Sequence, residues 1–403
     1  MKFNKLSQLF VVSATGLIVA SLLTACQLVN IDFVYVAAST GSTPGSNGQI
    51  YSYETDGSSG ALRTGHPVVS SGGAGPVAMA VSTDGFNLYV AHTGDNSIVH
   101  FAINIHGDLA QKETVTLPTT PVSIAVSESD AYLFVVSGTS SATLTEFPLT
   151  SGVIGSASAT VSLTVPGYPS DTIVPAGVTV LTNNKAVFAV AYDHSSYNPG
   201  GITTSNANPG WLFGFTIGSD GTLAPVADSP YEAGIKPSAV TGDPVSRFVY
   251  VTDFASNELI GYTIQSDESL NFMVNGPFKT GNEPTAVTID PRGIYIYVAN
   301  SLDSTVSSYT ISLPTGTPST TINTSGTASN STDTDPVAIV VEPALARFVY
   351  TANYLGDSIS GFRLNPSTGA LNSTLATPYP TGAIPTALVA VAHGNHASQS
   401  VAP

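Results

Sequence analysis

One phrase recurs along this chain. A proline opens a short alternating strand, a tight turn follows, then an aromatic-rich strand that ends on a polar residue. Pro76–Val81 leads to Leu88-Tyr-Val-Ala-His92, and Pro121–Val126 to Tyr132-Leu-Phe-Val-Val-Ser137. Pro175–Val180 leads to Phe188-Ala-Val-Ala-Tyr-Asp193, and Pro237–Thr241 to Phe248-Val-Tyr-Val-Thr-Asp253. Pro284–Ile289 leads to Tyr295-Ile-Tyr-Val-Ala-Asn300, and Pro336–Val341 to Phe348-Val-Tyr-Thr-Ala-Asn353. A seventh start, Pro385–Val391, has almost no chain after it, whereas the aromatic strand Phe33–Ala38 has no proline strand before it. Successive prolines stand 45 to 62 residues apart. A period of that size marks a ring or stack of supersecondary units, each unable to bury its apolar face alone.

Each aromatic strand is followed by a third strand of alternating pattern, such as Ser97–Ile103, Glu258–Ile264 or Ser358–Leu364. Turns such as Ser219-Asp-Gly221 and Ser367-Thr-Gly369 then lead into a fourth. Period-2 patterning with glycine turns gives antiparallel hairpins. The expected fold is all-β: a seven-bladed β-propeller of four-stranded antiparallel blades. The N- and C-terminal strands share one blade and close the ring. That closing blade is blade 1 below, and blades 2 to 7 begin at Pro76, Pro121, Pro175, Pro237, Pro284 and Pro336.

The N-terminus reads as a targeting segment. Lys2 and Lys5 precede an uncharged stretch over residues 6–25, and Leu23-Thr24-Ala25 runs into Cys26, the chain's one cysteine. This is the pattern of a bacterial lipobox, in which the cysteine thiol is acylated after cleavage. The expected organisation is a signal peptide over 1–25, a lipid anchor at Cys26, a tether over 27–32, one propeller domain over 33–392 and a flexible tail over 393–403. Gln27 after the cysteine places the protein in the cell envelope, outward of the cytoplasm and in an outer membrane where one exists.

Charge narrows the partners. The chain has 11 Lys+Arg against 27 Asp+Glu, a net charge of −16. A nucleic-acid ligand needs a basic stripe to displace counterions, so none is expected. Membrane contact through basic residues is excluded in the same way, which leaves the lipid anchor. A single cysteine rules out a disulfide framework and a cysteine-based zinc or iron–sulfur centre. No cofactor and no metal is expected, and the chain is expected to be a monomer. Its partner class is an extracytoplasmic glycan, a protein, or a small sugar-acid ligand.

Phe248-Val-Tyr-Val-Thr-Asp253, Tyr297-Val-Ala-Asn300 and the run Gly356–Phe362 resemble the lactonase-like seven-bladed propellers. That group includes propeller-type 6-phosphogluconolactonases and the fungal carboxymuconate-cyclising enzyme, and the "YVTN" repeats of surface-layer propellers are similar. The resemblance implies lactone hydrolysis by His, Glu and Arg at a channel mouth. Where a His-x-His segment is implied, this chain has Lys236-Pro237-Ser238, and where an Arg is implied after Asn353 it has Tyr354. Arg247, Arg292 and Arg347 stand in turns that the resemblance implies face away from the site. Two roles are therefore expected: a binding module for a glycan or protein, or a lactone hydrolase.

Long loops on a rigid scaffold are where function concentrates. The longest here is Asp193–Gly210 in blade 4, next to Val165–Asp171, with Ser39–Gly48 in blade 1 also enlarged. Asp193 and His194 are candidates for a general base pair. Tyr197 and Trp211 flank the loop, Tyr197 as a stacking face for a sugar and Trp211 as core. The residues that end the second strands, Ala38, His92, Ser137, Asp193, Asp253, Asn300 and Asn353, form a ring by symmetry. Either they cap the turns that follow, or His92, Asp193, Asp253, Asn300 and Asn353 form a polar rim that holds a ligand. His100 and His106 read as surface residues of one hairpin.

Overall fold

The computed structural model describes residues 30–40, 46–167, 172–194, 197–198, 201–202, 210–321 and 329–392. Seven antiparallel sheets each run outward from an innermost strand. In blades 1 to 7 those innermost strands are Ile384–Ala392, Pro76–Val81, Pro121–Val126, Ile173–Val180, Pro237–Gly242, Pro284–Ile289 and Pro336–Val341. Each packs beside the next and the last beside the first, which closes a ring around a central channel.

The closure is the expected one. Asn30–Ser39 pairs with Ile384–Ala392, with Phe33 opposite Val391 and Ala38 opposite Pro385. The strand starts earlier than the expected tether allows, because Asp32 already pairs with Thr55 and Ala392. Ile31 and Asp32 are buried within the blade. Cys26 and residues 393–403 lie outside the described residues. In six blades the fourth strand is broken into two short pieces; blade 2 keeps one continuous strand, Leu109–Thr116. Pro230, Pro277 and Pro378 fall at the breaks in blades 4, 5 and 7, where a residue without an N–H cannot continue the ladder.

Every sheet is covered on both faces by its neighbours, so the second strands read apolar throughout. Phe248–Asp253, Tyr295–Asn300 and Phe348–Asn353 are buried at every position. The lower face of the ring carries the turns from first to second and from third to fourth strand. The upper face carries the turns from second to third strand and the exits to the next blade. Asn30 and Ala392, the outermost described residues of the closing pair, lie at the lower end of blade 1.

A second-strand tyrosine ties most blades to the next. The hydroxyl of Tyr35 donates to Gly107 O, Tyr89 to Gly152 O, Tyr250 to Gly316 O, Tyr297 to Gly369 O and Tyr350 to Gly60 O, at 2.5 to 2.9 Å. Each acceptor is a lower-face turn glycine in the left-handed region, with φ from 71° to 83°. A Cβ on Gly369 would lie 2.3 Å from the Tyr295 ring, so only glycine fits. At the two seams that flank blade 4 the tyrosine position holds Phe134 and Phe188. Glu268 takes the glycine's place opposite Phe188, at φ 65°.

Candidate functional site

The expected polar rim is buried. His92, Asp253, Asn300 and Asn353 are fully covered and Asp193 is 4% exposed, because the second strands lie inside the blades. Their polar groups hold the upper turns together. The Asp253 carboxylate accepts N–H bonds from Ile235, Lys236 and Ala255. Asn300 accepts from Gly281 N and donates to Thr305 and Ser307. Asn353 donates to Ser358 and Ser360. Of the two expected readings these side chains follow the capping one: a short polar side chain satisfies backbone groups where a strand becomes a turn.

His92 has the makings of a base but not the position. Its Nε2 lies 3.0 Å from Ser71 Oγ, and that hydroxyl donates to Gly73 O. The serine is buried and already committed as a donor, so it is unavailable as a nucleophile. Burial lowers the His92 pKa to about 4, which keeps the ring neutral. His100, expected on the surface, is also buried; its ring stacks on Tyr89 at 5.0 Å and reaches Asn87 at 2.9 Å.

In blade 4, His194 is exposed at the base of the long loop, and its N–H is bound to Thr172 O. Asp193 points into the blade while His194 faces solvent, so the two do not form a base pair at one site. Tyr197–Asn198 pairs with Gly201–Ile202 as a small hairpin; the Tyr197 side chain lies outside the described residues. Trp211 packs in the core between blades 3 and 4, as expected.

The chemistry of the upper mouth sits on residues that immediately precede the innermost strands. Lys236, Glu283 and Asp335 occupy equivalent places in blades 5, 6 and 7. Each carbonyl accepts the N–H of the residue after a second strand: Phe254 N to Lys236 O, Ser301 N to Glu283 O and Tyr354 N to Asp335 O. All three side chains are half-buried. Glu283 and Asp335 are held at φ 54° and 61° directly before Pro284 and Pro336. A residue before proline prefers extended backbone, so these two are strained.

Lys236 is the distinctive member. Its Nζ lies 4.1 Å from the centre of the Phe254 ring and 5.8 Å from that of Tyr192 on blade 4. Desolvation among these groups lowers its pKa, while Glu283 and then Asp253 oppose the shift. Below it, Ser238 Oγ donates to Pro284 O at 2.6 Å, and Thr285 Oγ1 to Pro336 O at 2.7 Å. These bonds fix blades 5, 6 and 7 rigidly under the charged row. In the sequence Lys236 shows only as a departure from a histidine motif, because its surroundings come from two blades; the available signal was a lone cation followed, one repeat later, by a carboxylate at the same place. Together these groups offer an ammonium donor, two carboxylate acceptors and aromatic faces. That set suits a polyhydroxylated ligand with an acid or carbonyl function. Among the described residues, no cluster of three or more His, Cys, Asp or Glu is arranged to hold a metal ion.

Comparison with known proteins agrees with the fold. A candidate 6-phosphogluconolactonase from Bacteroides uniformis is 16% identical, with a TM-score of 0.72 over 90% of this chain and 100% of that one. The periplasmic gluconolactonase of Pseudomonas aeruginosa is 17% identical, with a TM-score of 0.71 over the same shares. A second candidate 6-phosphogluconolactonase, from Bacteroides fragilis, is 16% identical, with a TM-score of 0.69 over 91% of this chain and 99% of that one. No curated protein matches the sequence. The model of the family described as lactonase, 7-bladed beta-propeller matches residues 47–169 and 234–395, passing over blade 4. With most of the ring matched in sequence and all seven blades matched in architecture, the chain belongs to the lactonase seven-bladed β-propeller family.

Proposed function

We propose that this protein is a lipid-anchored propeller of the bacterial envelope whose upper mouth binds a small sugar acid or the acidic end of a glycan. The observation that carries this reading is Lys236, half-buried against Phe254 and neighboured by Glu283. The ammonium pairs with the ligand carboxylate, Glu283 and Asp335 accept its hydroxyls, and the rings of Phe254 and Tyr192 cover its apolar face. A desolvated cation discriminates strongly for an anion, because water competes poorly for it. Calorimetry with gluconate, a glucuronate-ended oligosaccharide and a neutral oligosaccharide tests this. The acids bind and the neutral sugar does not, and Lys236→Ala weakens acid binding by about tenfold or more. Equal binding of acid and neutral sugars, or no change in Lys236→Ala, contradicts it.

Family membership favours a second reading, hydrolysis of a sugar-acid lactone at the same mouth. Lys236 then polarises the lactone carbonyl and Glu283 positions the attacking water. The ring C–O bond breaks and the product is the open hydroxy acid. Turnover of glucono-lactone above the spontaneous rate, lost in Glu283→Gln but with substrate still bound, selects this reading over binding alone.

A further inference from the structure

The two faces of the ring differ in how they stand to the chain's entry point. The second strand of blade 1 begins at Asn30 on the lower face. Only Gln27, Leu28 and Val29 separate it from Cys26. Even fully extended, four residue steps reach at most about 14 Å. The innermost strand Ile384–Ala392 runs from upper to lower face over nine residues. At about 3.3 Å per residue that is a height of roughly 30 Å. A lipid on Cys26 therefore cannot bring the upper mouth down to the bilayer that holds it.

Both faces carry exposed apolar side chains, Leu302, Tyr354 and Leu355 among them on the upper turns, so the reach of the anchor rather than apolar content selects the lower face. The lower turn tips carry single large apolar side chains that nothing in the fold covers: Phe86 51%, Ile105 64%, Val153 51%, Val245 44% and Leu313 46% exposed. They belong to blades 2, 2, 3, 5 and 6, so they are spread around the ring rather than gathered at one edge. Phe86 and Ile105 lie on the blade next to the one in which the chain enters, linked to it by the bond from Tyr35 to Gly107. Isolated apolar tips add little each. Held beside a bilayer by acyl chains, each removes its own area from water without a further translational cost.

We propose that the lower face of the propeller is a membrane-seating surface, pressed to the bilayer around the lipid on Cys26 with the upper mouth turned outward. This rests on the anchored reading above. Lower-face turns are rich in carboxylates, among them Asp84, Asp130, Asp220 and Asp267, so the seat suits a zwitterionic surface and is opposed by an anionic one.

The test uses the acylated full chain in phosphatidylcholine vesicles. Because acylation consumes the one cysteine, Ile105→Cys, Val153→Cys and Leu302→Cys each present one free thiol for an environment-sensitive dye. Leu302 is an upper-face residue, 66% exposed, and serves as the reference. Nitroxide-bearing lipids quench the dyes at 105 and 153 several-fold more than the dye at 302. Mass spectrometry of the N-terminal peptide reports the acyl chains separately. An unacylated Cys26 overturns both the anchor and the seat. An acylated chain on vesicles with equal quenching at all three sites, or none at 105 and 153, overturns the seat alone.

Discussion

Blade 4 and the other six blades solve the same packing problem differently. Five of the seven seams are fastened by a tyrosine hydroxyl bonded to a left-handed glycine in the next blade. Both seams of blade 4 lack that bond, with Phe134 and Phe188 at the tyrosine position. Blade 4 carries the longest upper loop, and its Tyr192 meets Lys236 of blade 5. The family model passes over the same stretch. The fastened seams make a rigid frame that can host one blade without that bond, held by apolar packing and by other polar contacts such as Thr182 Oγ1 to Pro244 O and Ser129 N to Asn184 Oδ1, and that blade borders the candidate site. The difference teaches where variation is tolerated: at the seams whose loss the rest of the ring absorbs.

Breaking a fastened seam has the largest expected effect. In Gly369→Val the added side chain meets the Tyr295 ring and forces a β-branched residue into a left-handed turn. The cost is about 3–4 kcal/mol, read from urea unfolding. The same substitution at Gly167 in the exit loop of blade 3, where a Cβ meets nothing within 4 Å, costs clearly less and leaves only the backbone strain of φ 78°.

Between blades 7 and 1 a different device is at work. Glu342 and Asp32 are both fully buried and face each other at the lower end of the seam. Asp243 and Asp290 hold the equivalent turns in blades 5 and 6, where each pairs with an arginine, Arg247 or Arg292. Glu342 has Asp32 in that direction instead. Burial raises both carboxyl pKa values, and the neighbouring carboxyl raises that of Asp32 further. A folded-state pKa above the unfolded value of about 4 means that the folded ring keeps a proton the unfolded chain gives up. Stability from this pair is therefore present below pH about 4 and is lost as pH rises toward the folded values. Asp32→Asn raises the urea midpoint at pH 7–8 and leaves it unchanged near pH 3.5. An equal shift at both pH values rules out the retained proton.

Removing one hydroxyl is a milder way to erase the contrast between seams. Tyr250→Phe converts the blade 5–6 seam to the blade 4 type and costs about 1 kcal/mol, measured by urea unfolding. The smallest effect is expected where the comparison says the frame is indifferent. Shortening the blade 4 loop by deleting residues 203–208 changes the unfolding free energy by less than about 1 kcal/mol, since loop length enters stability only logarithmically.

The ring was legible because its units repeat. Seven proline starts and a misplaced aromatic strand at Phe33 leave one way to close, and the pairing of Phe33 with Val391 follows. The site was far less legible. Asp253 and Asn353 are residue types common on a wet rim and equally common as turn caps; only burial separates the two. Lys236 stood out in sequence merely as a departure from a histidine motif. Its character comes from Phe254, which meets it within blade 5 after the second strand, and from Tyr192, which meets it across the seam with blade 4. His100 alternates as a surface residue should, yet Tyr89 and Asn87 of the neighbouring strand enclose it.

The pairing of the first strand with the last also sets the order of events in time. A chain made from its N-terminus delivers Asn30–Ser39 early, with its inner edge unpaired and its side chains mostly apolar on both faces. Its partner, Ile384–Ala392, arrives after every other blade. Until the last blade is made this segment is an open sheet edge of the kind that recruits other strands. The ring cannot shelter it until synthesis is nearly finished, so the protein's exposure to misassembly is governed by how fast the chain is completed rather than by how stable it finally is.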